Sequence, residues 1–131
     1  MRTPHATMFP DEALLDFAPG IRWAVLPGDG MTLVYWIFEP PACGEVPSHT
    51  HPIAQGGVVL EGSITMRYAD GSVMTLRAGD FYTIASGVEH GASFPERCVV
   101  LDVFTPNRVE YEERYAARTY AQAFVVDGGG G

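Results

Sequence analysis

The 131-residue sequence has no lysine: all eight of its basic residues are arginine. That absence removes Schiff-base and lysine-nucleophile chemistry from consideration. Cysteine is also scarce. Cys43 and Cys98 are too few and too far apart to form a disulfide scaffold, so two buried free thiols are expected. Positive charge is outweighed by sixteen acidic residues, for a net charge of −8. A surface of that sign repels phosphate backbones, which argues against a nucleic-acid partner. Long hydrophobic runs are missing too. The longest, Met31 to Phe38 with one threonine, falls far short of a membrane span. Nothing near the N-terminus combines a charged start, an apolar centre and a small-residue cleavage site. The expectation is a cytoplasmic protein with no membrane partner.

What is present reads as one domain of short strands. A chain of this length buries roughly two-thirds of the surface it exposes when unfolded, enough for a single core. Residues 1–20 are weakly patterned, with a helical turn as one reading of Asp11 to Phe17 between Pro10 and Pro19, and His5 in a segment expected to be mobile. From residue 21 to 106 the chain alternates strands and turns. Ile21 to Leu26 and Met31 to Glu39 flank Pro27-Gly28-Asp29-Gly30, and the second of them is apolar on both faces. Val58 to Glu61, Ser63 to Tyr68, Ser72 to Arg77, Phe81 to Ile84 and Cys98 to Thr105 follow, with Asp70-Gly71 as a hairpin signal. No credible crossover helix interrupts them, so the fold class is all-β, a closed or sandwiched barrel. Residues 107–131 form a C-terminal arm. Val109 to Phe124 fits a short helix, an extended arm or a partner surface, and Gly128 to Gly131 is expected to be disordered.

The strongest chemical signal is His49-Thr50-His51. On an extended strand these two imidazoles would project from one face, about 7 Å apart. That is half of a metal site. The chain has only four histidines, and a third member of this set, His90, sits in a separate stretch, GDFYTIASGVEHG, expected to return alongside.

The two stretches resemble the paired motifs of the cupin superfamily. In the first, Gly44, His49, His51, Gln55 and Gly62 fall at the family spacing, with Gln55 in place of the usual Glu; in the second, Gly79, Ala85, Gly87 and His90 do, with Ala85 in place of the usual Pro. The resemblance implies a single-domain cupin, a jelly-roll or double-stranded β-helix barrel, and for proteins of this size a homodimer. It also implies His49, His51, Gln55 and His90 as ligands of one divalent transition metal. Imidazole suits nickel, iron, zinc, manganese or copper, and the ligands do not choose among them. Because all four ligands are neutral, the metal would keep its full charge and favour a small anionic substrate. The plainer alternative is three hydrogen-bonded core histidines with no metal.

Gln55 cannot take up and return a proton, so a base must come from elsewhere. In Cys98-Val99-Val100-Leu101-Asp102-Val103-Phe104 a lone carboxylate sits in a strand that is apolar on both faces. Burial there is unfavourable without a compensating group, and Asp102 shares a face with Cys98, Val100 and Phe104. A backbone-satisfied or arginine-paired Asp is the bland reading. More narrowly, HTHPIAQ, GDFYTIASGVEHG and the closing LDVFTPNR are similar to the KdgF-type group of small cupins. That likeness implies an isomerase opening the ring of 4,5-unsaturated uronates from pectin or alginate breakdown. Asp102 would be the catalytic base, and Phe104 and Arg108 would contact the substrate. Competing readings are a cupin dioxygenase, another isomerase, cyclase or lyase acting on a small acid, and a non-catalytic binding cupin.

Overall fold

The computed structural model describes residues 13–121 and Phe124. Among them, ten strands precede one helix: β1 Leu15–Ala18, β2 Ile21–Gly28, β3 Met31–Phe38, β4 Val46–His49, β5 Ala54–Glu61, β6 Ser63–Tyr68, β7 Val73–Arg77, β8 Phe81–Ile84, β9 His90–Ser93, β10 Cys98–Thr105 and α1 Val109–Ala116. All strand pairs are antiparallel. One sheet runs β1-β2-β3-β10-β5-β8 and the other β4-β9-β6-β7, the two-sheet arrangement of a jelly-roll-like all-β fold. The expectations for His5 and for Gly128 to Gly131 fall outside the described residues.

Side-chain alternation explains why the central strands sit where they do. In β10, Cys98, Val100, Asp102 and Phe104 are buried between the sheets; on the opposite face Val99 is also buried, whereas Leu101 and Val103 are only half-buried. β3 matches it across the ladder, placing Val34 opposite Asp102 and Trp36 opposite Val100. Aromatic rings fill the space between. Phe38 stacks on Phe94 at 4.2 Å, and Phe17 meets Trp23 and Trp36 edge-on at 4.5 and 5.1 Å. Such pairs add to what area burial alone gives. At Gly62 the backbone takes φ +75°, and a Cβ there would stand 1.8 Å from the Arg97 carbonyl oxygen, so only glycine fits this corner. Cys43 and Cys98 are free and buried, as expected.

Two sequence expectations change, and one left open is resolved. The segment read as a helical turn is in part strand: Leu15 pairs with Trp23 and Asp16 with Arg22, because the free edge of β2 offers hydrogen bonds and Phe17 gains a fully buried seat. β5 begins at Ala54 rather than Val58, its Gly56 and Gly57 held in the ladder between β10 and β8. Within the arm, Val109–Ala116 form α1, one of the alternatives expected, and bury Tyr111 against the aromatic cluster. No helix among the described residues is long and apolar enough to cross a membrane.

Candidate metal centre

Three elements bring the histidines together. His49 ends β4 and pairs across the ladder with His90, which begins β9. His51 is not on the strand, contrary to the expectation of one extended segment. The chain leaves β4 after His49, and the Gly87 N–H donates to the His51 carbonyl at 2.8 Å, tying the first motif to the loop of the second. The turn draws His51 inward rather than along the strand. Its ring lies 5.6 Å from that of His49 and 5.0 Å from that of His90, and His49 and His90 are 4.4 Å apart.

All three are buried, and one nitrogen from each falls within 4.8 Å of the other two. Their orientation is fixed by the backbone. Each Nδ1 lies 2.8 Å from a carbonyl oxygen, of Pro47, Ile53 and Val88 respectively. A carbonyl can only accept, so each Nδ1 carries the proton and each Nε2 keeps its lone pair. Burial pushes all three pKa values below the ordinary histidine value, His90 to about 4, with the neighbouring imidazoles and Arg108 adding to the effect on it. The rings are therefore neutral ligands near neutral pH.

Gln55, expected as the fourth ligand, lies beside the three imidazoles. Its Oε1 lies 3.1 Å from His51 Nε2, so two lone pairs face one another across the pocket. Two acceptors held this close are unfavourable unless a cation lies between them. Imidazole nitrogens suit a first-row divalent ion, so the three buried histidines could hold a metal.

Beside them sits the carboxylate. Asp102 is buried, and burial raises its pKa from 3.8 to about 6, against the opposing pull of hydrogen bonds from Tyr82, Gln55 and Trp36 and the field of Arg108. The cross-strand register sets this up: β5 places Gly57 opposite both Asp102 on β10 and Tyr82 on β8. With no side chain between them, the Tyr82 hydroxyl reaches over Gly57 and donates to Asp102.

Phe104 and Arg108 lie on the same cavity as His49, His90 and Asp102. Arg108 is 2% exposed, an extreme value for an arginine. Its guanidinium covers the Tyr111 ring at 3.8 Å and the Phe104 ring at 4.9 Å, and its Nε donates to Glu110 at 3.3 Å. Nη2 is buried without a hydrogen-bond partner among the described residues. A network at the start of α1 holds it there. The Arg108 backbone N–H donates to Thr32, Thr32 donates to Glu112, and the Asn107 amide donates to Glu112 and to the carbonyls of Gly28 and Met31.

Sequence reasoning missed Tyr82 and Gly57. The alternation Phe81-Tyr82-Thr83-Ile84 could have put Tyr82 and Ile84 on one face, but not Tyr82 against Asp102.

Residues 34–104 match the profile of the cupin domain, just over half of the chain. No curated protein matches the chain. Among solved structures, the chain is similar to an RmlC-like cupin from Shewanella frigidimarina, with 26% identity, a TM-score of 0.72, and 85% of this chain and 99% of that one covered. A protein with a double-stranded β-helix domain from Klebsiella pneumoniae gives 28% identity and a TM-score of 0.63 over 79% of this chain and 93% of that one. KdgF from Halomonas sp. is similar at 24% identity and a TM-score of 0.71, covering 80% of this chain and 99% of that one, a likeness of fold.

Proposed function

Since this chain belongs to the cupin family, we propose that it is a metal-dependent isomerase that opens the ring of a 4,5-unsaturated uronate to the linear keto form. The observation that carries the reading is a pair of buried groups of opposite sign on one cavity beside the histidines. Arg108 has an N–H with no partner among the described residues, and burial raises the pKa of Asp102 to about 6 in the metal-free protein. A buried unpaired N–H is unfavourable by about 1–3 kcal/mol, which a substrate carboxylate would relieve. A buried carboxylate that is not among the proposed metal donors is placed for general-base work on a substrate in that cavity.

His49, His51, His90 and Gln55 would hold the divalent ion, which, when bound, supplies Lewis-acid stabilisation of negative charge developing beside the substrate carboxylate. Arg108 binds that carboxylate, and the Phe104 face, packed on the guanidinium, keeps water from one side of the sugar ring. Asp102 takes the proton of the anomeric hydroxyl. The ring carbon–oxygen bond then breaks, the anomeric carbon becomes an aldehyde, and the electron pair leaves on the former ring oxygen as an enolate. The proton is returned to the adjacent carbon, giving the ketone. Nothing is oxidised or reduced overall, and the reaction needs no second substrate.

The test is incubation of metal-loaded protein with unsaturated galacturonate, following loss of the ultraviolet absorbance of the enol ether. Activity should fall by at least about a hundredfold in Asp102→Asn if that carboxylate is the base. Full activity in the variant removes Asp102 from its role, and oxygen uptake with a thiol or diketone in place of uronate turnover would favour a dioxygenase.

We also propose that two copies pair through the outer face of the larger sheet. Leu33, Tyr35, Leu101 and Val103 lie half-buried on that face, and Phe81 on the edge strand β8 is 81% exposed. A sheet that is apolar on both sides is the pattern of strands covered on both sides.

A further inference from the structure

Tyr82 occupies the joint between the two groups that the proposed chemistry needs. Gln55 and Gly57 lie on the same face of β5, and Gly57 stands opposite Asp102 on one side and Tyr82 on the other. A Cβ on Gly57 would come within 2.3 Å of Asp102 Oδ1 and 2.6 Å of the Tyr82 oxygen. The bare glycine is therefore what allows the phenol to lie across the strand. Its single hydroxyl proton goes to Asp102. The oxygen is left with lone pairs only, and the group within reach is Gln55 Nε2 at 3.4 Å.

A primary amide has two unlike ends: its nitrogen donates and its oxygen accepts. The Gln55 nitrogen is directed to Tyr82 and Asp102, both acceptors toward it. Its oxygen therefore points the other way, to within 3.1 Å of His51 Nε2. Reversing the amide would set its oxygen against the phenol oxygen and the Asp102 carboxylate, and its N–H against a cation. Both ends would then be repulsive.

We infer that Tyr82 is a positioning residue: its hydroxyl fixes which end of the Gln55 amide faces the three imidazoles, so that an oxygen lone pair is presented to a divalent cation. This rests on the metal-binding reading above. The hydroxyl donates to Asp102, which leaves its oxygen to accept from the Gln55 amide. Without that hydroxyl, Asp102 alone would hold the Gln55 nitrogen.

The experiment is calorimetric titration of the metal-stripped full-length chain with zinc and with nickel, for the wild type, Tyr82→Phe, Gln55→Ala and the double variant. Tyr82→Phe should weaken binding about tenfold, the lower end of what is lost when a ligand's orienting partner is removed. Gln55→Ala should lose at least as much. The double variant should bind like Gln55→Ala alone, because the effect of the hydroxyl passes through the amide. In cobalt-loaded protein the visible ligand-field bands of Tyr82→Phe should move toward those of Gln55→Ala. Binding by Tyr82→Phe within about twofold of wild type, or losses that multiply in the double variant, overturns the inference. A metal-free melting temperature that falls while affinity is kept marks the phenol as merely structural and also overturns it. Should the wild type bind neither metal, the metal reading falls and takes this one with it. A wild type that binds beside an indifferent Tyr82→Phe defeats this inference alone.

Discussion

Replacing Asp102 by Asn should change the pH dependence of stability in a direction that can be worked out in advance. Burial lifts the Asp102 pKa from 3.8 to about 6 in the folded protein. Between those values the fold holds a proton that the unfolded chain has released. The contribution of Asp102 is therefore unfavourable at neutral pH and is relieved as pH falls through about 6 toward 3.8. A shift of that size corresponds to about 3 kcal/mol. His90 works against it. Its pKa is lowered from 6.5 to about 4, so the unfolded chain takes up the proton first and stability is lost as pH falls across that range. In metal-free wild type the two slopes oppose one another over nearly the same window. Asn cannot titrate, so the variant keeps the histidine slope alone. The difference in unfolding free energy, variant minus wild type, should rise by about 2–3 kcal/mol from about pH 4 to about pH 8. Taking the difference cancels the histidine contribution and any pH-independent loss of hydrogen bonds from Tyr82, Gln55 and Trp36. Urea unfolding of chelator-treated protein, followed by the fluorescence of the core residues Trp23 and Trp36, measures it. A difference flat to within about 0.5 kcal/mol, or one that falls with pH, would mean that Arg108 and the three donors outweigh burial and hold the carboxylate ionised.

Gly57→Ala should lower the urea midpoint of the metal-free protein by the equivalent of about 1–3 kcal/mol, since its Cβ would overlap Asp102 and Tyr82. An unchanged midpoint would mean that the three strands can spread without strain. Phe81→Glu places a charge on the most exposed aromatic of the outer sheet face; if two copies pair there as proposed, the wild type should sediment as a dimer and the variant as a monomer. Equal sedimentation of the two proteins removes that face as the pairing surface.

Residues within one motif were legible in the sequence, and residues joined across strands were not. His49, His51, Gln55 and His90 stand out because glycines and turns at fixed intervals surround them, and spacing along the chain is what a sequence displays. Asp102 was visible as the one charge in a strand apolar on both faces, and in β10 it lies in a buried row with Cys98, Val100 and Phe104. Tyr82 depends on the registers of two ladders at once, β10 with β5 and β5 with β8. No local pattern encodes both. The burial of Arg108 depends on Thr32, which accepts its backbone N–H from 76 residues away. His51 departs from a regular strand for a similar reason: its carbonyl is captured by Gly87, in the second motif. Helix α1 and strand β1 were misread or left open because each is short and takes its conformation from the surface it covers, with Phe17 and Tyr111 as anchors.

The distribution of the site over the fold has an energetic consequence. His49 and His90 belong to the four-stranded sheet, Gln55, Tyr82, Asp102 and Phe104 to the six-stranded sheet, and His51 to the turn between them. No single sheet carries a complete donor set, so the lone pairs converge only when the two layers are stacked. Packing of Phe38 on Phe94 across the same interface brings the layers together through apolar contact. The neutral imidazoles and the opposed lone pairs of His51 and Gln55 resist that approach at one end of the interface. A cation shared by all four donors would turn the resisting end into a cross-link, and binding would then be part of the free energy that closes the sandwich. Neutral donors sharpen the effect. They leave the charge of the ion uncancelled, so what compensates it must be Asp102 or an anionic ligand, and the buried N–H of Arg108 makes an anionic ligand the better fit.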